Sequence, residues 1–297
     1  MEIKNIQKEN IPEYVNTVLS RLERSGYEAY IVGGCVRDLL LGRTPKDYDV
    51  TTSANTDEMA AAFDGMKVIP TGVKHGTLTV MSEGNPVEVT TFRTDGDYKD
   101  HRHPDGVTFT SNLSEDLSRR DFTINAMAFS PYKGLVDDYG GVDDLKKKLI
   151  RCVGDPLKRF GEDALRIMRA IRFSAVYGFD IEEKTLAALV EKSPELKYIS
   201  SERIYAELCE FLTVKDTGKM QEIMLGPARE VIFNVIPELR RAAETAQINK
   251  FHYYDVYRHS VIAIASTPPV TDLRLTMLLH DVAKPLTVTY DLSLIHI

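Results

Sequence analysis

The chain has 297 residues, 43% of them hydrophobic and 27% charged, which is the balance of an ordinary soluble protein with room for two or three domains that have cores of their own. A formal net charge of −7 argues against a surface coated in nucleic acid, but not against a local basic track, because phosphate contacts depend on where Lys and Arg lie. No apolar run is long enough to span a bilayer, MEIKNIQKEN holds no signal-peptide core, and three scattered cysteines give neither a disulfide framework nor zinc spacing; the expectation is a cytoplasmic protein with no membrane partner.

In chain order, Val15, Val18, Leu19 and Leu22 recur at helical spacing over residues 11–26, with Gly26 as the stop, and this helix is expected behind the first strand. That strand is the apolar run Tyr30, Ile31 and Val32. Gly33-Gly34 breaks it, residues 36–41 read as a short helix closed by Gly42, and Asp47-Tyr48-Asp49 follows. Residues two apart in an extended strand face the same way, so Asp47 and Asp49 hold their carboxylates side by side. Adjacent carboxylates repel unless a divalent cation neutralises them, and oxygen-only ligands favour magnesium over zinc. A glycine pair lets backbone amides approach a ligand, and a helix start welcomes phosphate. Taken singly, Gly-Gly is a plain turn and Asp-x-Asp a solvated edge. In the order strand, Gly-Gly, short helix with Arg37-Asp38, Gly42-Arg43, Asp47-x-Asp49, they point to a nucleoside triphosphate with a metal. On these residues the chain resembles the nucleotidyltransferase superfamily, and within it the bacterial (class II) tRNA CCA-adding enzyme and poly(A) polymerase family.

Residues 56–63 read as a helix begun near Ser53 or Asn55, Val68-Ile69 as a short strand, and 71–76 as a turn. Two strand-like runs, 77–81 and 87–92, are joined by 82–86 as a hairpin. In the second, Val87, Val89 and Thr91 share one face, Glu88 and Thr90 the other. By itself Glu88 reads as the exposed face of an edge strand; the resemblance over VEVTTFR implies that it is the third metal-site carboxylate. Residues 93–112 are polar and aperiodic and read as a long loop, with His101 and His103 solvated; the resemblance implies a loop that moves during nucleotide addition. In LSRRDFTINAMAF, residues 117–129, Asp121 reads as a helix cap with Asn125 on the same face. Arg119 and Arg120 precede it as charged donors within reach of a triphosphate. This string resembles the family's second motif, which implies Arg120, Asp121 and Asn125 near the triphosphate and ribose, with Gly33, Gly34 and Arg37 seating the triphosphate. Residues 135–151 read as strand, turn and return strand, ending in a basic run of Lys146, Lys147, Lys148 and Arg151, and resemble the segment that connects head and neck.

Over residues 161–178, GEDALRIMRAIRFSAVYG, a helix at roughly 100° per residue gathers Ala164, Ile167, Met168, Ile171 and Ala175 on one side and Glu162, Arg166, Arg169 and Arg172 on the other, with Asp163 near Arg166 at the boundary. The pattern alone is an amphipathic helix with ion pairs. The resemblance implies that Asp163 and Arg166 pair with the Watson–Crick edge of the incoming base, with Arg169 and Arg172 in the same nucleotide-binding set. Cytosine and adenine each offer an amino donor beside a ring acceptor, so one carboxylate and one guanidinium satisfy either. Uracil and guanine reverse the order and leave buried groups unpaired. Helices continue over 183–192 and 201–212, the second with Ser201 as cap and Glu202-Arg203 matching the last neck motif; 218–225 and 228–235 also read as helices.

Near the C-terminus, Tyr257-Arg258-His259-Ser260 opens a helix, and residues 273–285 place His280-Asp281 at the end of an apolar one. His259, His280 and Asp281 resemble the start of the HD metal-dependent phosphohydrolase fold, as prospective ligands of a vestigial site, because the chain stops before the later helix that carries the fold's further Asp. The closing LSLIHI, residues 292–297, matches the in-frame translation of a sequencing-library adapter, so the expectation is a truncated chain ending in an artefact.

The expected architecture is α+β: a polymerase-beta-like nucleotidyltransferase head over 1–152, an all-α neck and RNA-binding body over 153–237, and the N-terminal part of a truncated HD-like helical domain over 238–291. The resemblance implies template-independent addition of CCA to the tRNA 3′ end from CTP and ATP, with Mg2+ held by Asp47, Asp49 and Glu88. Poly(A) polymerase activity, partial CC or A addition, and an inactive RNA-binding fragment are the alternatives, and the motifs leave oligomeric state open.

Overall fold

A computed structural model describes residues 3–96, 106–245 and 254–287. The chain divides into two units, Met1–Glu162 and Asp163–Ile297. His101, His103 and the adapter-like residues 292–297 lie outside the described residues.

In the first unit, seven described strands make one sheet in the order β3 (Lys67–Gly72), β4 (Thr77–Ser82), β5 (Asn85–Thr91), β2 (Asp49–Thr52), β1 (Ala29–Val32), β8 (Ala128–Ser130), β9 (Gly134–Val136). The β2 and β5 strands pair in parallel; the other neighbours are antiparallel. Every residue of β1 is buried, as its unbroken apolar run requires of a central strand. Helix α1 (Glu13–Arg24) lays Val15, Val18, Leu19 and Leu22 on β1, β4 and β5, behind the first strand as its spacing predicts. Burial of this kind is worth about 1.5–3 kcal/mol per aliphatic side chain. Helix α2 (Gly34–Leu40) follows β1 at once, and α3 (Thr56–Ala62) starts at Asn55. The Asn55 side chain accepts from the backbone of Asp57 and Glu58, and Glu58 returns the bond to the Asn55 N–H, a reciprocal cap that Ser53 does not make. The β4–β5 hairpin turns on Glu83 and Gly84 alone, both at positive φ, and is tighter than the expected five-residue connection over 82–86.

Three expectations change here. Residues 93–112 are not loop throughout: β6 (Arg93–Asp95) and β7 (Val107–Phe109) pair as an antiparallel ribbon, too short for a periodic signature. The helix expected to start at Asp121 is instead one 3-10 turn at Thr123–Asn125 running into β8, and a helix, α4 (Leu113–Ser118), precedes it. Asp121 is not its cap; its Oδ1 accepts from the Phe122 N–H at 2.8 Å and from Asn125 Nδ2 at 3.1 Å, which closes a turn locally. Finally, β9 leads into α5 (Gly141–Lys147) where only a turn was expected, because Asp137 accepts from the N–H groups of Gly141 and Val142 at 2.6 and 2.9 Å and so anchors a helix start. Gly141 is obligatory there, since a Cβ would lie 2.4 Å from the Thr123 carbonyl. Helix α6 (Pro156–Glu162) ends the unit.

The second unit is built of helices: α7 (Leu165–Tyr177), α8 (Glu183–Lys192), α9 (Ser201–Leu212), α10 (Gly218–Leu225), α11 (Arg229–Val235), α12 (Glu238–Glu244), α13 (Val256–Ala265), α14 (Thr271–Leu279) and α15 (Lys284–Thr287). Ala164, Ile167, Met168, Ile171 and Ala175 are all buried, and α7 packs on α9. Ser200, not Ser201, holds the cap position of α9, without a side-chain bond. Buried Arg274 in α14 donates through Nη1 to the carbonyls of Leu212 and Val214 and through Nε to that of Thr267, so a guanidinium satisfies the C-terminal end of α9. No helix among the described residues is long and apolar enough to cross a membrane.

Candidate active site

Asp49 opens β2 directly opposite Glu88 in the parallel register with β5. Tyr48 and Val50 turn inward while Asp47 and Asp49 stay exposed, so the two aspartates share an open face although Asp47 stands just ahead of the strand. On β5 Val87, Val89 and Thr91 are buried and Glu88 is exposed, which puts the third carboxylate on the same open side. Around it a set of threonines satisfies itself: Thr71 with Thr79 at 2.9 Å, Thr77 with Thr90 at 3.0 Å, and Thr51 donating to the Thr90 carbonyl at 3.2 Å.

The Asp49 carboxyl is pushed up to about 6, first by the protein packed around it and then by the charge of Asp47; Glu88 adds to the rise and Arg120 opposes it. Solvent still reaches the residue, so the group sits in a crowded but open concavity. Three like charges on one face resist coming together, and the only described three-residue group of His, Cys, Asp or Glu whose ligand atoms all lie within 4.8 Å of one another is elsewhere. The all-oxygen donor set of Asp47, Asp49 and Glu88 nonetheless fits a hard divalent cation, whose charge would offset that repulsion.

Next to the carboxylates, Gly33 adopts φ +81° and donates its N–H to the Met127 carbonyl at 3.1 Å. A Cβ on Gly33 would stand 3.1 Å from Nη1 of Arg120, and one on Gly34 would stand 3.4 Å from Nη2 of Arg37. Arg37 is buried; its Nη1 donates to Asn125 Oδ1 at 2.5 Å and its Nε to Asp38 at 2.9 Å. Because Asn125 in turn donates to Asp121, the chain Arg37, Asn125, Asp121 ties α2 to the turn before β8. Sequence reasoning missed Asp116, fully buried in α4, which accepts from Arg119 and Arg120. Burial would push its carboxyl up, but Arg120 and Arg119 hold it below the ordinary carboxylate range. An Asp three and four residues ahead of an Arg-Arg pair is a helical ion-pair spacing and could have signalled it. Beside this cluster lies a cavity of about 350 Å3 whose lining includes Asp95, Ser118, Arg119, Lys158 and Arg159.

In the second unit, Asp163 stands just ahead of Ala164, the N-cap of α7; one of its oxygens accepts from the Leu165 N–H at 3.1 Å and the other from Arg203 Nη2 at 3.2 Å. Arg166 is buried. Arg203 therefore joins Asp163, a pairing that the sequence signalled only through the neck motif. Arg172 meets Glu207 at 2.5 Å and Glu210 at 2.9 Å on α9, Arg169 lies 3.9 Å from Glu207, and both guanidinium groups stack over Phe173. These two arginines are thus committed to ion pairs and not merely solvated.

His259, His280 and Asp281 do converge. The two Nε2 atoms are 3.3 Å apart, and Asp281 Oδ2 lies 3.7 and 3.2 Å from them. Lys284 Nζ reaches the same oxygen at 2.6 Å.

A strand opening on aspartate, with a glutamate in register on its parallel neighbour and a glycine turn under an arginine, sets the first unit in the nucleotidyltransferase superfamily. The family described as Poly A polymerase head domain matches residues 29–151, and that described as Probable RNA and SrmB-binding site of polymerase A matches 178–225. A CCA-adding enzyme of Lactobacillus helveticus is 47% identical over 233 residues, covering 75% of this chain and 58% of the relative. The crystal structure of the Bacillus stearothermophilus CCA-adding enzyme in complex with CTP superimposes with a TM-score of 0.67 at 33% identity, over 93% of this chain and 72% of that one. The Thermotoga maritima CCA-adding enzyme complexed with tRNA-CCA gives 0.64 at 25% identity, over 97% and 71%. The chain belongs to the CCA-adding enzyme and poly(A) polymerase family. It spans about half the length of the curated relatives it matches.

Proposed function

We propose that the chain carries out template-independent CCA addition to the tRNA 3′ end, using CTP and ATP, in the cytoplasm. The observation that carries this is the register of Asp49 with Glu88, with Asp47 on the same open face. Asp47, Asp49 and Glu88 would hold Mg2+, which when bound would supply charge to activate the primer hydroxyl and to stabilise the leaving pyrophosphate. Gly33 leaves room for phosphate to approach the backbone, Arg120 supplies charged donors beside it, and Arg37, Asn125 and Asp121 fix the surrounding turn. Gly34 serves the same close approach. Asp163 and Arg166 choose the base, Arg203 orients the Asp163 carboxylate, and Arg169 and Arg172 hold that helix through α9. The Bacillus relative in complex with CTP and the Thermotoga relative complexed with tRNA-CCA support this substrate set.

The test offers tRNA lacking its last three, two or one nucleotides with labelled CTP or ATP and sizes the products. Completion that stops at CCA, abolished by Asp47→Ala, is the expected result. Continued growth with ATP alone would mean a poly(A) polymerase, addition of only C or only A a partial enzyme, and a gel shift without extension a binding fragment. On the same reading residues 153–237 form neck and body and 238–291 the start of an HD-like domain. His259, His280 and Asp281 are then a vestigial metal site, with Lys284 supplying positive charge at the carboxylate.

A further inference from the structure

Asp116 stands where two adjacent arginines of the triphosphate-binding string meet. Its Oδ1 accepts from Arg119 Nε and Nη2 at 3.0 and 2.8 Å and from the Arg93 backbone N–H at 3.4 Å; Oδ2 accepts from Arg120 Nη2 at 3.1 Å. The carboxylate is fully buried, an environment that an aspartate tolerates only with charged partners. Arg119 and Arg120 follow one another in the chain and repel; one shared counter-charge sets both side chains in fixed directions. The edges of Arg120 then have separate fates. Nη2 is held by Asp116, Nη1 comes within 3.1 Å of the Cβ position of Gly33, and the buried Nε has no hydrogen-bond partner among the described residues. The charge of Arg120 also acts on Asp49. A guanidinium tethered on one edge, with donors left over beside a glycine turn and a carboxylate pair, is prepared for an anion.

We propose that Asp116 is a positioning residue for nucleotide binding: it holds Arg120 beside the Gly33-Gly34 turn, so that the arginine meets the phosphate oxygens of the incoming triphosphate already oriented. The inference rests on the nucleotidyl-transfer reading for its ligand. Arginine carries much side-chain entropy, and restraining it beforehand removes an ordering cost from the binding step. Asparagine at 116 is nearly isosteric, but its amide would turn a donor toward one of the two arginines and leave their mutual repulsion unscreened.

The experiment is a double-mutant cycle in equilibrium binding of CTP with Mg2+ to the full chain: wild type, Asp116→Asn, Arg120→Ala and the pair, with melting temperature recorded for each. We expect Asp116→Asn to weaken CTP binding about tenfold, and to weaken it less than about twofold further in the Arg120→Ala background, because the effect passes through that arginine. CTP affinity equal to wild type in Asp116→Asn, or an undiminished loss in the Arg120→Ala background, overturns the proposal, whatever the melting temperatures do. Should Asp116→Asn not fold, the same comparison is made between Arg119→Met and Arg119→Met with Asp116→Asn, which deletes a cation together with the carboxylate that neutralised it. A wild type that binds CTP but extends no tRNA defeats the functional reading and leaves this cycle decisive; a wild type that binds no CTP overturns both.

Discussion

Asp49 shows how one residue reports on its site. Its folded pKa of about 6 lies above the ordinary aspartate value of about 3.9, so the folded, metal-free protein takes up a proton more readily than the unfolded chain. The sign follows: ionised Asp49 lowers stability as pH rises through the interval between those values, and the penalty is absent below it. In EDTA, Asp49→Asn should therefore melt higher than wild type at neutral pH and match it below about pH 4. A melting difference that stays constant with pH would sink the idea that burial, and then the charges of Asp47 and Glu88, raise this group. Metal affinity should also fall as the solution is acidified below about pH 6, where the proton competes for the same oxygens. Much at this scale was legible. The alternation of Tyr48 and Val50 against Asp47 and Asp49 assigns the faces from the strand period alone, whereas the spacing of Asp116 to Arg119 and Arg120 signals an ion pair but not that its carboxylate is fully buried.

At the scale of elements, legibility followed length. Helices α8 and α10 have the bounds that their sequences suggest, and α7 buries the expected apolar stripe. By contrast the three-residue strands β6 and β7 were misread because they are too short to show a period, and the turn held by Asp121 and the start of α5 held by Asp137 because side-chain bonds to local backbone decide such segments. Arg274 makes a related case between helices. It is 2% exposed and its guanidinium serves carbonyls at the end of α9 and after α13. Arg274→Met keeps most of the volume yet strands those acceptors, so unfolding of the second unit by denaturant should lose about 1–3 kcal/mol with little change in slope. An unchanged midpoint would show that water serves those carbonyls equally well.

Across the whole molecule, the two units hold two different donor sets. The first offers oxygens only, which suit magnesium; the second offers two imidazoles and a carboxylate, which suit a transition metal. In the second, the Lys284 ammonium lies 2.6 Å from Asp281 Oδ2 and, with both histidines, draws that carboxyl below its ordinary range against the pull of burial. Dialysed protein analysed by mass spectrometry should accordingly retain no stoichiometric zinc, manganese or iron; one equivalent retained would contradict a vestigial site. The chemistry of both sets was determined by sequence alone, since residue type decides which ligands and which cations are compatible. Their assembly was not. The parallel pairing that sets Asp49 beside Glu88 joins strands far apart in the chain, and the approach of His259 to His280 joins two helices. Local propensity cannot encode such pairings: they exist only once hydrophobic faces have packed and fixed which strand or helix is whose neighbour.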